Sequence, residues 1–306
     1  MSRAAIDVGS NSIRMLLLNT DRDEAPARQY FRQVTRLAGD FNSETGLADQ
    51  SMSRTLTALM TFAGLASQYA GCEVRAVGTA ALRNAVNSPN FITSIKKRTG
   101  LDVEIISGER EALLSCRGIL SVLEPAPDRA LLFDIGGGST EIILMDNAEI
   151  LFQASLPLGV VALFVKYQKS DNYHAAIHAA LAPLANHKLW KRWQKEKKPV
   201  ELVGTAGTVT TLAAIHLKMN DYDGSLVNNL ILDKIWLDRL DQQLTGMSLR
   251  KRAEMPGMEA GRADVIRPGL QIVCALLELA QSNSIRVADA GLLEGLLLDE
   301  DQGTFI

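Results

Sequence analysis

The chain has 306 residues, 47% of them hydrophobic, enough to fill two modest α/β cores and to exclude a disordered protein. Its 32 basic and 35 acidic residues leave a formal charge of −3, so no global positive field exists for nucleic acid and an anion has to be held by a local site. Three cysteines, Cys72, Cys116 and Cys274, carry no CxxC spacing and fit buried thiols in a reducing, cytoplasmic setting better than a disulfide framework.

The N-terminus runs directly into a strand-like stretch, Ala4-Ala5-Ile6-Asp7-Val8, with no basic segment and apolar signal core ahead of it. Alternating and apolar runs predict strands at about 3–8, 13–19, 27–36, 73–78 and 102–107. Between the third and fourth, Met52, Leu56, Leu59, Met60 and Leu65 recur at helical spacing and Gly71 supplies the stop. Leu123-Glu124-Pro125-Ala126-Pro127-Asp128 marks a boundary, because prolines at this spacing end a helix and restrict the residues before them. A second set of strands follows at about 129–135, 141–146, 149–157, 200–204 and 285–289. Leu270–Ala280 reads as a buried helix, and Leu292–Leu298 is too short, against the roughly 20 residues needed, to span a bilayer. No membrane partner is expected.

The two halves repeat one another. Ile6-Asp7-Val8-Gly9-Ser10-Asn11-Ser12 matches Phe133-Asp134-Ile135-Gly136-Gly137-Gly138-Ser139, and Val77-Gly78-Thr79-Ala80 matches Val203-Gly204-Thr205-Ala206 almost in the same register. A weaker pair sets Gly108-Glu109-Arg110-Glu111 on Gly291-Leu292-Leu293-Glu294. The pattern predicts two duplicated α/β domains, 1–124 and 125–306, enclosing a cleft, with a helical insertion at about 212–270 in the second.

Asp7-x-Gly9-Ser10-Asn11-Ser12 lies between two strands as a tight turn, whose small residues let backbone N–H groups converge on an anion while Asp7 points at a metal or its water. An ordinary hairpin turn would use similar residues. The second copy is more specific: three successive glycines suggest a close approach to the backbone, and Asp134 and Glu141 face one another across the hairpin mouth. Paired carboxylates beside a phosphate loop suit Mg²⁺. Arg83 opens a helical turn after a strand, where its guanidinium can fork around a phosphate or simply lie on the surface. Glu111 in Ser107-Gly108-Glu109-Arg110-Glu111-Ala112 could activate water or merely stabilise a helix dipole.

Two further features carry less chemistry. Lys188-Leu189-Trp190-Lys191-Arg192-Trp193-Gln194-Lys195-Glu196-Lys197-Lys198 reads as an amphipathic helix with its tryptophans inward. His174 and His178 stand four apart but have no third ligand nearby in sequence, so they predict no zinc site.

Together, Asp7–Ser12 with Arg14, Gly78–Arg83 with Asn84 and Asn87, Ser107-Gly108-x-x-Glu111-Ala112, Asp134–Glu141, Leu156-Pro157-Leu158-Gly159, Gly204–Thr208, Arg262–Ile266 and Glu294-Gly295 resemble the exopolyphosphatase / guanosine pentaphosphate phosphohydrolase family. The resemblance covers essentially the whole chain. It implies an α/β fold of two ribonuclease H-like domains of the actin, hexokinase and Hsp70 superfamily flanking a central cleft, in the short form without the C-terminal HD-like helical extension. It implies Glu111 as catalytic base and Arg83 as its phosphate-binding partner, with Gly9, Ser10, Asn11, Ser12, Arg14, Gly136, Gly137, Gly138, Ser139 and Gly207 on the phosphates. Asp134, Glu141 and Asp7 would hold Mg²⁺ or Mn²⁺. The substrate would be polyphosphate, or alternatively guanosine pentaphosphate, and a homodimer fits the family. Ala290-Gly291 and Leu293-Glu294 depart from the family pattern, which has a serine before the glycine and an arginine before the glutamate. An actin-fold kinase or ATPase and a non-catalytic sensor are the other readings of the same motifs.

Overall fold

The computed structural model describes residues 2–19, 27–167, 173–196, 198–259 and 261–299. It divides into two compact units, residues 1–118 with 291–306, and residues 119–290.

In the first unit, β1 (Arg3–Val8), β2 (Ser12–Asn19) and β3 (Ala27–Val34) form an antiparallel meander. Helix α1 (Asp49–Ser67) then leads to β4 (Glu73–Gly78), which pairs parallel with β1. Helices α2 (Ala80–Asn84) and α3 (Ser88–Thr99) precede β5 (Val103–Ile105), parallel to β4, and α4 (Gly108–Leu120) follows. The sheet order is β3-β2-β1-β4-β5. β1 is buried on both faces, and its period of two separates two cores. Ala4, Ile6 and Val8 pack with Leu59, Phe62, Phe91 and Ile95 of α1 and α3. Ala5 turns the other way, into a cluster with Leu16, Val77, Ile106 and Leu114. Burying each such large aliphatic contributes about 1.5–3 kcal/mol.

The second unit repeats this plan with β6 (Arg129–Ile135), β7 (Thr140–Asp146) and β8 (Glu149–Leu156), then α5 (Val160–Tyr167), α6 (His174–Asn186) and α7 (Lys188–Glu196) before β9 (Glu201–Thr205). Helix α8 (Ala206–His216), α9 (Gly224–Val227), β10 (Ile231–Asp233), α10 (Lys234–Leu244), α11 (Leu249–Ala253) and α12 (Ile266–Ala280) precede β11 (Ser284–Val287). The order β10-β11-β9-β6-β7-β8 is the first sheet's order with β10 added at one edge. Both units thus carry an antiparallel three-strand meander whose first strand is continued on its other side by parallel strands. The stretch expected as a helical insertion is helical apart from β10, which the sequence reading missed because three residues carry almost no periodicity. On α7, Trp190 and Trp193 are buried, and Arg129 lies over the Trp193 ring at 4.7 Å, so the basic run is a solvated helix face; Lys197 is outside the described residues.

The last helix, α13 (Leu292–Leu298), departs from the sequence expectation. It belongs to the first unit, not to a second domain running to the C-terminus. Leu292, Leu293, Leu296 and Leu297 complete the cluster on the Ala5 face of β1. Glycines at the crossing with α4 make this packing available: a Cβ on Gly118 would strike the Gly291 carbonyl, and one on Gly295 the Leu114 carbonyl. Gly295 is therefore a packing residue. Beyond α13, Asp299 is buried and ion-paired with Arg110 and Arg117, the latter at 2.9 Å, and its carbonyl accepts from Arg75.

Candidate active site

In each sheet the motifs of the sequence stand at the carboxyl ends of the parallel strands, where open α/β sheets place ligands. In the first unit these are Asp7 near the end of β1 with Gly9–Ser12 following it, Gly78–Arg83 from the last residue of β4 onward, and Ser107–Glu111 after β5. In the second they are Asp134 near the end of β6 with Gly136–Ser139 following it, Thr205–Gly207 from the last residue of β9 onward, and Ala288–Ala290 after β11.

The two hairpin loops have the same internal bond. Gly9 N donates to Ser12 O at 3.2 Å and Gly136 N to Ser139 O at 2.8 Å. In the first, Ser10 and Asn11 present their carbonyls to Ala38, Thr35 and Arg36, which brace the loop while both side chains stay exposed. In the second, the Gly136 and Gly137 carbonyls accept from Val160, Val161 and Ala162 at the start of α5. Gly159 lies directly on the loop, and a Cβ there would occupy the backbone of Gly137 and Gly138. Part of the close approach that the glycine run requires thus comes from the protein itself.

The cross-strand neighbours of the two equivalent aspartates differ. Asp7 pairs with Arg14 and Asp134 with Glu141. Asp7 is buried, and its Oδ2 accepts from Arg14 Nε at 3.0 Å and from a terminal nitrogen at 2.6 Å. Arg14 is thereby committed to Asp7. The other oxygen, Oδ1, is buried and without a hydrogen-bond partner. Glu141 Oε1 accepts from Ser139 at 2.7 Å and from Ser155 at 2.9 Å. Ser155, on β8, was missed in the sequence reading; the signal available is a hydroxyl just before the end of a strand facing β7. Two facing carboxylates on one hairpin are oxygen donors of the kind hard divalent cations take, so Asp134 and Glu141 fit Mg²⁺ or Mn²⁺.

Glu111 and Arg83 are brought together. Arg83 Nη1 donates to Ile106 O at 2.7 Å and lies 3.4 Å from Glu111 Oε2, with both side chains partly open. Of the two first-turn acids on α4, Glu109 takes the helix-stabilising role: its own backbone N–H, then the Ser107 hydroxyl, hold its carboxyl below the usual range. Asn87, in contrast, is structural, since its side chain bonds both the N–H and the carbonyl of Leu47 at 2.9 Å.

At the end of β9, Ala206 adopts φ 63°, a strained conformation for a residue with a Cβ, and Gly207 follows at the first turn of α8. The Arg262 guanidinium rests against Gly207 and is ion-paired with Glu259. Nearby, the Tyr222 hydroxyl donates to Asp289; desolvation and then the Asp289 charge push the phenol upward. Neither Tyr222 nor Asp289 belonged to the site predicted from sequence. The fold also brings Glu278 beside His174 and His178, supplying the third ligand type that the sequence alone did not place there.

Comparison with known proteins follows the same lines. The Ppx/GppA phosphatase family matches over residues 30–302. A curated relative from Photobacterium profundum, guanosine-5'-triphosphate,3'-diphosphate pyrophosphatase, is 30% identical over 304 residues, or 97% of this chain. The match takes in 58% of that protein, so the chain spans a little over half its length. Among solved structures, the Aquifex aeolicus Ppx/GppA phosphatase superposes with a TM-score of 0.79 at 27% identity, covering 98% of this chain and 99% of that one. An exopolyphosphatase from Cytophaga hutchinsonii gives 0.80 at 27% identity, with 97% of each chain covered.

Proposed function

The chain belongs to the Ppx/GppA phosphatase family, and from that premise we propose that it hydrolyses terminal phosphoanhydride bonds, releasing phosphate from inorganic polyphosphate. The observation that carries the reading is the contact between Arg83 and Glu111 at 3.4 Å, a cation for a phosphoryl oxygen beside a base for water. Glu111 accepts the proton of the attacking water, and Arg83 both orients that carboxylate and binds the phosphoryl group under attack. Within the first unit the remaining N–H groups of the loop at Gly9–Ser12, with Arg14, would bind phosphate oxygens, and within the second unit those of the loop at Gly136–Ser139, with Gly207, would do the same. Within the second unit Asp134 and Glu141 would hold Mg²⁺ or Mn²⁺, whose charge would offset that on the phosphoryl oxygens, and within the first unit Asp7 Oδ1 offers an oxygen donor of the same kind. Positioning and charge compensation of this kind supply most of the acceleration in phosphoryl transfer.

Guanosine pentaphosphate is the second reading, favoured by the substrate in the name of the Photobacterium profundum relative. Both reactions cut a terminal phosphoanhydride, so the same groups serve either. Phosphate release from long and short polyphosphate, guanosine pentaphosphate and ATP, measured with Mg²⁺ for the unaltered chain and Glu111→Gln, tests both. Polyphosphate should be the best substrate, and the substitution should lower turnover by about 10²–10⁴-fold. Release from none of the four would overturn the proposal, and full activity in the variant would remove Glu111 as the base.

A further inference from the structure

We propose that His174, His178 and Glu278 bind one divalent transition ion of the zinc class, joining α6 to α12. His174 and His178 occupy one face of α6 four residues apart, with ring centroids 4.1 Å from each other. Glu278, in the last turn of α12, brings a carboxylate oxygen to 3.9 Å from His178 Nε2. One ligand atom from each of the three lies within 4.8 Å of the other two.

Two imidazoles and one carboxylate are the donor set of open zinc sites, in which water completes a tetrahedron. Metal–ligand distances of about 2.0–2.2 Å set tetrahedral donors about 3.4 Å apart, so the three groups have to close by roughly 1 Å. All three side chains are exposed and can make that rotation without disturbing a core. Their backbones are already fixed, because Ile177 and Leu181 of α6 and Val273, Leu276 and Leu277 of α12 share one buried cluster. The ion therefore meets a preformed pair of helices. Imidazole nitrogens select zinc, cobalt, nickel or copper over magnesium, which separates this site from the carboxylates at Asp134 and Glu141.

Calorimetric titration of the full chain with Zn²⁺, and the visible spectrum after addition of Co²⁺, read the site directly and independently of any phosphatase activity. One ion per chain should bind, with the intense visible bands of tetrahedral cobalt, and millimolar Mg²⁺ should not displace it. His178→Ala and Glu278→Gln should each weaken binding by at least about tenfold, a loss that even the outer partners of metal sites produce. Both should keep the metal-free melting temperature, and Cys72→Ser should bind as the unaltered chain does. Absence of saturable binding, or undiminished binding in a His174→Ala/His178→Ala variant, would overturn the assignment.

Discussion

Arg14 donates through two nitrogens to one oxygen of Asp7 and leaves the other oxygen of that carboxylate buried without a partner. The pair neutralises a charge that the first sheet would otherwise bury alone. Arg14→Ala should therefore cost about 1–3 kcal/mol, below the full penalty for breaking a buried pair because Arg14 is partly open to solvent. Adding Asp7→Asn should recover part of the loss. Urea midpoints of the two single variants and the double variant give the coupling; strict additivity would show that the two groups do not depend on one another.

The corresponding position of the second sheet opposes two acids, Asp134 and Glu141. Like charges directly across a strand pair are unfavourable, so without metal Glu141→Gln should stabilise the protein by about 0.2–1 kcal/mol. The amide oxygen can still accept from Ser139 and Ser155. The same substitution should weaken Mg²⁺ binding and phosphate release. A variant that is less stable in the presence of a chelator would contradict the view that this pair is kept for a cation.

Gly159 tests how far the glycine loop is shaped by its own support. Gly159→Ala places a methyl group where the Gly137–Gly138 backbone lies and should cost about 1–3 kcal/mol through overpacking. Because the displaced atoms belong to the proposed phosphate loop, turnover should fall more than thermal stability alone accounts for. Activity measured well below the melting temperature separates the two effects.

The duplication was legible because it is written in strands, where period-two burial and glycine turns leave strong marks: Asp7 and Asp134 do occupy equivalent places in two sheets of one order. Glu141 beside Asp134 was legible for the same reason, since a hairpin fixes its own register. What crosses long stretches of chain was not. Nothing local to Glu278 announces that α12 will run beside α6, and nothing in Leu292–Leu298 says which sheet it will cover. Those outcomes depend on matched surfaces far apart in sequence, such as the backbone contact that Gly118 and Gly295 permit.

The thiols give a pH dependence with a definite sign. Burial pushes Cys116 up to about 11 and Cys274 up to about 12. The folded state thus keeps both protonated after the unfolded chain has begun to lose those protons near its thiol value of about 8.5. Their contribution to stability is complete below that pH and falls as pH rises towards 11 and 12. Chemical denaturation from about pH 8 to about pH 11 should show the decline, reduced in Cys116→Ser. At about pH 8 both thiols should resist alkylation until the protein is unfolded.

Because α13 rejoins the unit that holds β1, only one of the two units corresponds to an uninterrupted stretch of coding sequence. A fragment covering 119–290 carries every strand of its sheet and can be produced as a single polypeptide. A fragment ending at residue 118 lacks the leucines that cover one side of β1 and exposes that apolar face to solvent. Dissection of the protein therefore calls for fragment complementation with a peptide spanning Gly291 to Asp299, or a permuted gene that joins this peptide to the first unit, rather than simple truncation.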